Sequence, residues 1–231
     1  MEINKLQELE HRLDVHFHNH DLLLEALTHR SYLNERPDWR LNQNERLEFL
    51  GDAVLELIVT ERLFKDHNEP EGILTSWRAA LVNSLMLAEI SKKLDLNEYV
   101  LLSQGERKDN GRARQYILAN ALEAIIGAIY LDQGYEETKK FIEKNILVEF
   151  ARVIDQKLYK DAKSLFQEQA QEREGVTPSY KVLDQWGPDH DKTFKVGIYL
   201  NDELVGVGFG PSKQEAQQKA AEDGLHKKNW T

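Results

Sequence analysis

The sequence predicts two domains of different class: an all-helical unit over residues 1–156 and an α-β-β-β-α unit over 161–231, joined by a short linker at 157–160. Three observations lead there. Up to about residue 156, apolar residues recur at three- and four-residue spacing. After residue 160 the pattern becomes alternation, punctuated by Gly, Pro and Asn-Asp. The length of 231 residues, 41% hydrophobic and 30% charged, is enough for two ordinary domains that bury cores and stay soluble.

In order, "DLLLEALTHRSY" is a short apolar-periodic segment, and a long helix runs from about Glu45 to Lys65. "PEGILTSWRAALVNSLMLAEISKKL" continues the helical spacing after Pro70. "SQGERKDNGRARQ" reads as a basic, Gly-containing loop with Arg107, Lys108, Arg112 and Arg114 as its cations. "YILANALEAIIGAIYLDQG" is apolar nearly all round, hence a buried central helix. "EETKKFIEKNILVEFARVI" is amphipathic and closes the first unit. The second opens with the helix "DAKSLFQEQAQERE". "PSYKVLDQWG", "KTFKVGIYLN" and "ELVGVGFG" alternate as strands of a meander, and "SKQEAQQKAAEDGLHK" is a last helix with Ser212 as N-cap.

Composition narrows the function. With no cysteine, the chain has no disulfide, thiolate metal site or thiol nucleophile, and it suits a reducing cytoplasm. "MEINKLQELEHRLDVHF" is charged from its second residue and does not read as a signal peptide. The apolar run "AIIGAIYL" is far shorter than the ~18 residues of a membrane span, so no membrane partner is expected. The net charge is −10, unevenly spread: 10 Lys and Arg against 12 Asp and Glu in residues 160–231, but 20 against 28 before them. The acid excess therefore lies in the helical unit, where a divalent cation could use it.

At about 100° per residue, Glu45, Glu48, Asp52 and Glu56 fall in one narrow arc of the long helix. A solvated acidic face paired with Arg46 or with other helices would produce the same stripe. The buried helix argues otherwise. Its polar residues are chiefly Asn120 and Glu123, three apart on one face with small Gly127 a turn further on. A lone Glu among apolar neighbours is costly unless a cation compensates it. Two helices offering only oxygen ligands select a hard ion, Mg²⁺ or Mn²⁺. Carboxylates around such ions commonly hydrolyse phosphodiesters.

These same residues carry a resemblance. "NERLEFLGDAVLE" is similar to the signature helix of bacterial ribonuclease III, "LEAIIGAIYLD" to that family's second metal-binding helix, and "ALTHRSY" and the C-terminal unit follow in the expected order. The resemblance covers essentially the whole chain. It implies a helical endonuclease domain followed by a double-stranded RNA-binding domain, acting as a homodimer through the catalytic domain. The implied reaction is Mg²⁺-dependent cleavage of duplex RNA to staggered 5′-phosphate ends, with Mn²⁺ able to substitute. Ribosomal RNA precursors and structured messages are the implied substrates. By position, the resemblance assigns Glu48, Asp52, Asn120 and Glu123 to the metal, with Asp52 and Glu123 catalytic. It sets Glu45 at the catalytic valley near the dimer interface. Phe49 is either a core aromatic or a knob inserted into the partner subunit. Asn120 stands where the family usually has Asp, which removes one negative charge and implies a higher metal requirement. His29 reads as a hydrogen-bonded structural residue rather than a general base, and His16, His18 and His20 of "HFHNH" as no metal site.

In the C-terminal unit, A-form RNA presents 2′-hydroxyls and phosphates rather than readable base edges. Gln167, Glu168 and Gln171 on the first helix and His190 in "WGPDHDK" are the expected minor-groove contacts. Lys213, Gln214 and Gln217 open the last helix, where dipole and free N–H groups favour phosphate. The family often has two or three lysines there; only Lys213 is basic here, so a shallow salt dependence is expected. Two alternatives compete: a dimer that binds duplex RNA without cutting it, and a di-iron helical bundle. The bundle would require Glu-x-x-His pairs, which both metal-helix candidates lack.

Overall fold

A computed structural model describes residues 3–108, 111–159, 161–188 and 192–230. The chain divides into two units, residues 1–159 and 160–231. Among the described residues, the first unit runs α1 (Ile3–Leu13), α2 (His20–Leu27), α3 (Arg30–Glu35), α4 (Glu45–Asp66), α5 (Glu71–Val82), α6 (Ser84–Lys93), α7 (Gln104–Lys108), α8 (Arg112–Gln133), α9 (Tyr135–Asn145) and α10 (Phe150–Asp155). The second runs α11 (Ala162–Glu174), β1 (Ser179–Trp186), β2 (Thr193–Leu200), β3 (Glu203–Gly210) and α12 (Lys213–Lys228).

Local side-chain chemistry places several boundaries. The predicted helix over 71–94 is two helices, because Asn83 ends one and starts the next. Its amide donates to the Ala80 carbonyl at 3.1 Å, and its Oδ1 accepts the Met86 N–H at 2.9 Å. The segment predicted as one helix over 136–154 is likewise interrupted, by a 3₁₀ turn at Leu147–Glu149. The basic stretch over 103–115 is not simply a loop: it holds α7 and the first turn of α8. Arg114 explains that early start. It is 8% exposed, and its guanidinium donates to the Asn97 side chain at 2.8 Å and the Asn97 carbonyl at 3.3 Å. Arg114 is thus a buried structural residue rather than a cation of an exposed loop. The side chain of Arg112 lies outside the described residues.

The buried helix α8 organises the first unit, packing against α2, α4, α6 and α9. Leu118, Leu122, Ile125, Ile126 and Ile129 are buried on it, as its all-round apolarity predicts. Ser91 ties α6 to it by donating to the Leu87 and Leu118 carbonyls. Asp132, near its end, accepts the backbone N–H groups of His18 and Asn19 at 2.8 and 2.9 Å. The "ALTHRSY" segment is fixed by a parallel bridge between Thr28 and Leu101.

In the second unit the sheet order is β1-β2-β3, antiparallel throughout. Val196, Ile198, Leu200 and Val205 point from it into a core shared with Phe166, Ala170, Ala216, Ala220, Ala221 and Leu225. Small residues let α12 lie almost on the strand beneath: a Cβ on Gly208 would come within 2.1 Å of the Ala220 nitrogen. Ser212 caps α12 through the Glu215 N–H, as predicted.

Candidate metal centre and nucleic-acid interface

The acidic residues meet where two helix backbones touch. A Cβ on Gly51 of α4 would lie 1.7 Å from the Glu123 carbonyl oxygen of α8. One on Gly127 would lie 2.3 Å from the Leu47 carbonyl oxygen. Only glycine permits this crossing. Glu48 and Asp52 flank Gly51 on one helix, while Asn120 and Glu123 lie two turns and one turn before Gly127 on the other. The close approach brings together the two helices that carry these four polar side chains.

Their charges are coupled across the crossing. Burial, followed by the negative charges of Asp52 and Glu48, pushes the Glu123 carboxyl up to about 8. Glu48 is also raised, first by burial; a hydrogen bond from Asn120 opposes this, and Glu45 and Asp52 add to it. The field at the cluster is therefore strongly negative, and a cation would relieve it. Among the described residues, no three His, Cys, Asp or Glu side chains are already gathered tightly enough to hold an ion. The donor set fits a hard divalent ion in kind, and the carboxylates must draw together to hold it.

Glu45 is exposed in the first turn of α4; its N–H donates to Gln43 at 2.7 Å, and Arg30 lies 3.8 Å from its carboxylate. Phe49 is 82% exposed, so it is not a core aromatic of this chain. Beside the acids lies a cleft of about 530 Å³, lined by His29, Asn34, Glu45, Glu48, Tyr116 and Asn120 among others. His29 has the structural role expected of it. Its Nδ1 accepts the Ser31 N–H at 3.3 Å and caps α3, and burial lowers its pKa. In "HFHNH", His16 and His20 both approach Glu10, and His18 approaches Asp132, at 3.3–3.4 Å.

In the second unit, Gln167, Glu168 and Gln171 are exposed on α11, and Lys213 and Gln214 are exposed at the start of α12. Gln167 and Gln214 line one cleft of about 740 Å³. Gln171 accepts a hydrogen bond from the Thr177 hydroxyl at 3.4 Å. Gln217 is half-buried and accepts from Lys163 at 2.9 Å. His190 lies outside the described residues. Sequence reasoning missed Lys163, Tyr116 and the role of Gly51. Only Gly51 carried a signal, a glycine within an otherwise good helix former.

Residues 19–150 match the family described as "Ribonuclease-III-like", and residues 162–228 match the "Double-stranded RNA binding motif". The chain is 44% identical to Ribonuclease 3 of Natranaerobius thermophilus over 95% of each protein. It is 45% identical to Ribonuclease 3 of Sulfurovum sp., with 96% of this chain and 98% of the relative covered. A solved nuclease domain of ribonuclease III from Campylobacter jejuni, described for flexibility in a region involved in dimer formation, matches with TM-score 0.54 and 45% identity. That match covers 61% of this chain and 97% of the other. With both domains matched in order and such identity along almost its whole length, the chain belongs to the ribonuclease III family of double-stranded-RNA endoribonucleases.

Proposed function

We propose that the chain cleaves duplex RNA as a homodimer dependent on Mg²⁺, with Mn²⁺ able to substitute, leaving staggered 5′-phosphate ends. Its substrates are ribosomal RNA precursors and structured messages. The observation that carries this reading is the coupling of the half-buried Glu123 carboxyl to the charges of Asp52 and Glu48 beside the Gly51–Gly127 crossing. These carboxylates, with the Asn120 amide oxygen, would hold the metal. When bound there, it supplies Lewis-acid activation of water and neutralises charge developing on the phosphate.

The chain's own residues do the rest. Glu123, half-buried and raised to about 8, gives up its proton to join the site. Asp52, exposed on α4, faces incoming backbone. The cleft bordered by Asn34, Tyr116 and Glu45 gives the RNA strand room beside the acids. The exposed apolar side chains of α4, Phe49, Leu57 and Phe64, suit a partner subunit, as large exposed apolar groups on one helix do. In the second unit, Gln167, Glu168, Gln171 and His190 contact the minor groove, and Lys213, Gln214 and Gln217 meet phosphates. Boundaries at 156 and 161 would leave 157–160 as the linker.

The test is cleavage of an RNA duplex by the parent and by Glu123→Gln, with and without Mg²⁺. Cutting that needs the metal and is lost in the variant, with binding retained, is the expected result. Equal cutting by both would move the chemistry elsewhere. Binding without cutting by the parent would leave a non-cleaving RNA-binding dimer.

A further inference from the structure

The first turns of α12 carry little positive charge for a phosphate contact, because Lys213 is followed by Gln214 and Gln217. A second ammonium reaches this place from another element. Lys163, in the first turn of α11, donates from Nζ to Gln217 Oε1 at 2.9 Å. It also lies 5.4 Å from the centre of the Tyr180 ring. The cleft of about 740 Å³ is lined by Lys163, Ser164, Gln167, Ser212 and Gln214, so the lysine stands among side chains already proposed to meet RNA.

Two acids, Asp161 and Glu215, border the same cleft. Asp161 caps α11 and also feels the charge of the Lys163 ammonium, which it partly offsets in the cleft. Its Oδ1 accepts the Lys163 and Ser164 N–H groups at 3.0 Å each, and its Oδ2 accepts the Ser164 hydroxyl. An ammonium has three N–H donors, and Gln217 takes one. The same bond steadies a long flexible side chain, which reduces the entropy lost when it meets a ligand.

We infer that Lys163 is a phosphate-contacting residue of the RNA-binding unit, supplying from α11 the charge that α12 lacks at Gln217. The inference rests on the RNA-binding reading of that unit. It is tested with the full-length chain in EDTA, using fluorescence anisotropy on an RNA duplex of ~16 base pairs across a range of KCl concentrations. Lys163→Gln should bind roughly three- to tenfold more weakly and lower the slope of log affinity against log salt by about one. Lys163→Arg should keep the parent slope, and Gln217→Lys added to Lys163→Gln should restore it. A merely structural lysine would weaken binding with the slope unchanged; that result, or unaltered binding, overturns the inference. A parent chain that binds no duplex would overturn the RNA-binding reading itself.

Discussion

Glu123 carries the largest consequence of any single side chain. Its folded value, about 8 against an ordinary 4.5, means the folded protein keeps a proton that the unfolded chain has lost. Its contribution to stability is therefore fully present below about 4.5 and is lost as pH rises through the window to about 8. Without metal, Glu123→Gln should stabilise the protein by about 1–3 kcal/mol at the alkaline end and hardly at all at the acid end. That is less than the full shift would give, because the side chain retains some contact with water. Thermal unfolding across this range checks it; a benefit that does not grow with pH would refute the account. Adding Mg²⁺ near neutral pH should release up to about one proton per site, readable by calorimetry in buffers of different ionisation enthalpy. Asn120→Asp adds a fourth acid and should lower the metal concentration needed for half-maximal cleavage several-fold. An unchanged or higher requirement would show the amide is no handicap. Helical spacing puts Glu45, Glu48, Asp52 and Glu56 on one face of α4 and Asn120 and Glu123 on one face of α8. Singling out Glu48, Asp52 and Glu123 among them needed the family resemblance. The Lys163–Gln217 bond was not legible in the sequence, since it joins residues 54 positions apart through packing that no local pattern encodes.

Among elements, the α4–α8 crossing has the least tolerance. A methyl group at Gly51 would overlap the Glu123 carbonyl, and one at Gly127 the Leu47 carbonyl. Both obstacles are backbone, which cannot rotate aside. Gly51→Ala and Gly127→Ala should each cost about 3 kcal/mol or more and lower cleavage at least tenfold as the helices separate. Circular dichroism melts and duplex cleavage read the two effects, and a parent-like melting point in either variant would mean the helices part at little cost. The long helices α4 and α8 were readable from periodicity, as were the three strands and the Ser212 cap. The breaks at Asn83 and at 147–149 were not, because apolar spacing continues through them. What interrupts the helix at Asn83 is a side chain bonding to backbone on both sides of it.

For the molecule as a whole, the acid excess resides in the unit that would hold the metal, and the near-balanced second unit carries the RNA-binding motif. The dimer prediction belongs at this scale. Leu57 and Phe64 are 57% and 75% exposed, and Leu57→Asp or Phe64→Glu should weaken self-association at least tenfold. Sedimentation equilibrium would read the loss, and a parent-like dimer in both variants would put the contact on another surface. Among the described residues no helix is long and apolar enough to cross a membrane. The acids Glu48 and Asp52 and the exposed Phe49, Leu57 and Phe64 occupy adjoining faces of the same rigid rod. In the proposed assembly, one helix would be both hinge pin and blade mount. The gap between the two cutting edges, and so the overhang left on the product, would be a length written in side-chain volumes along it. Altering how the copies abut should then change the overhang before it abolishes cutting.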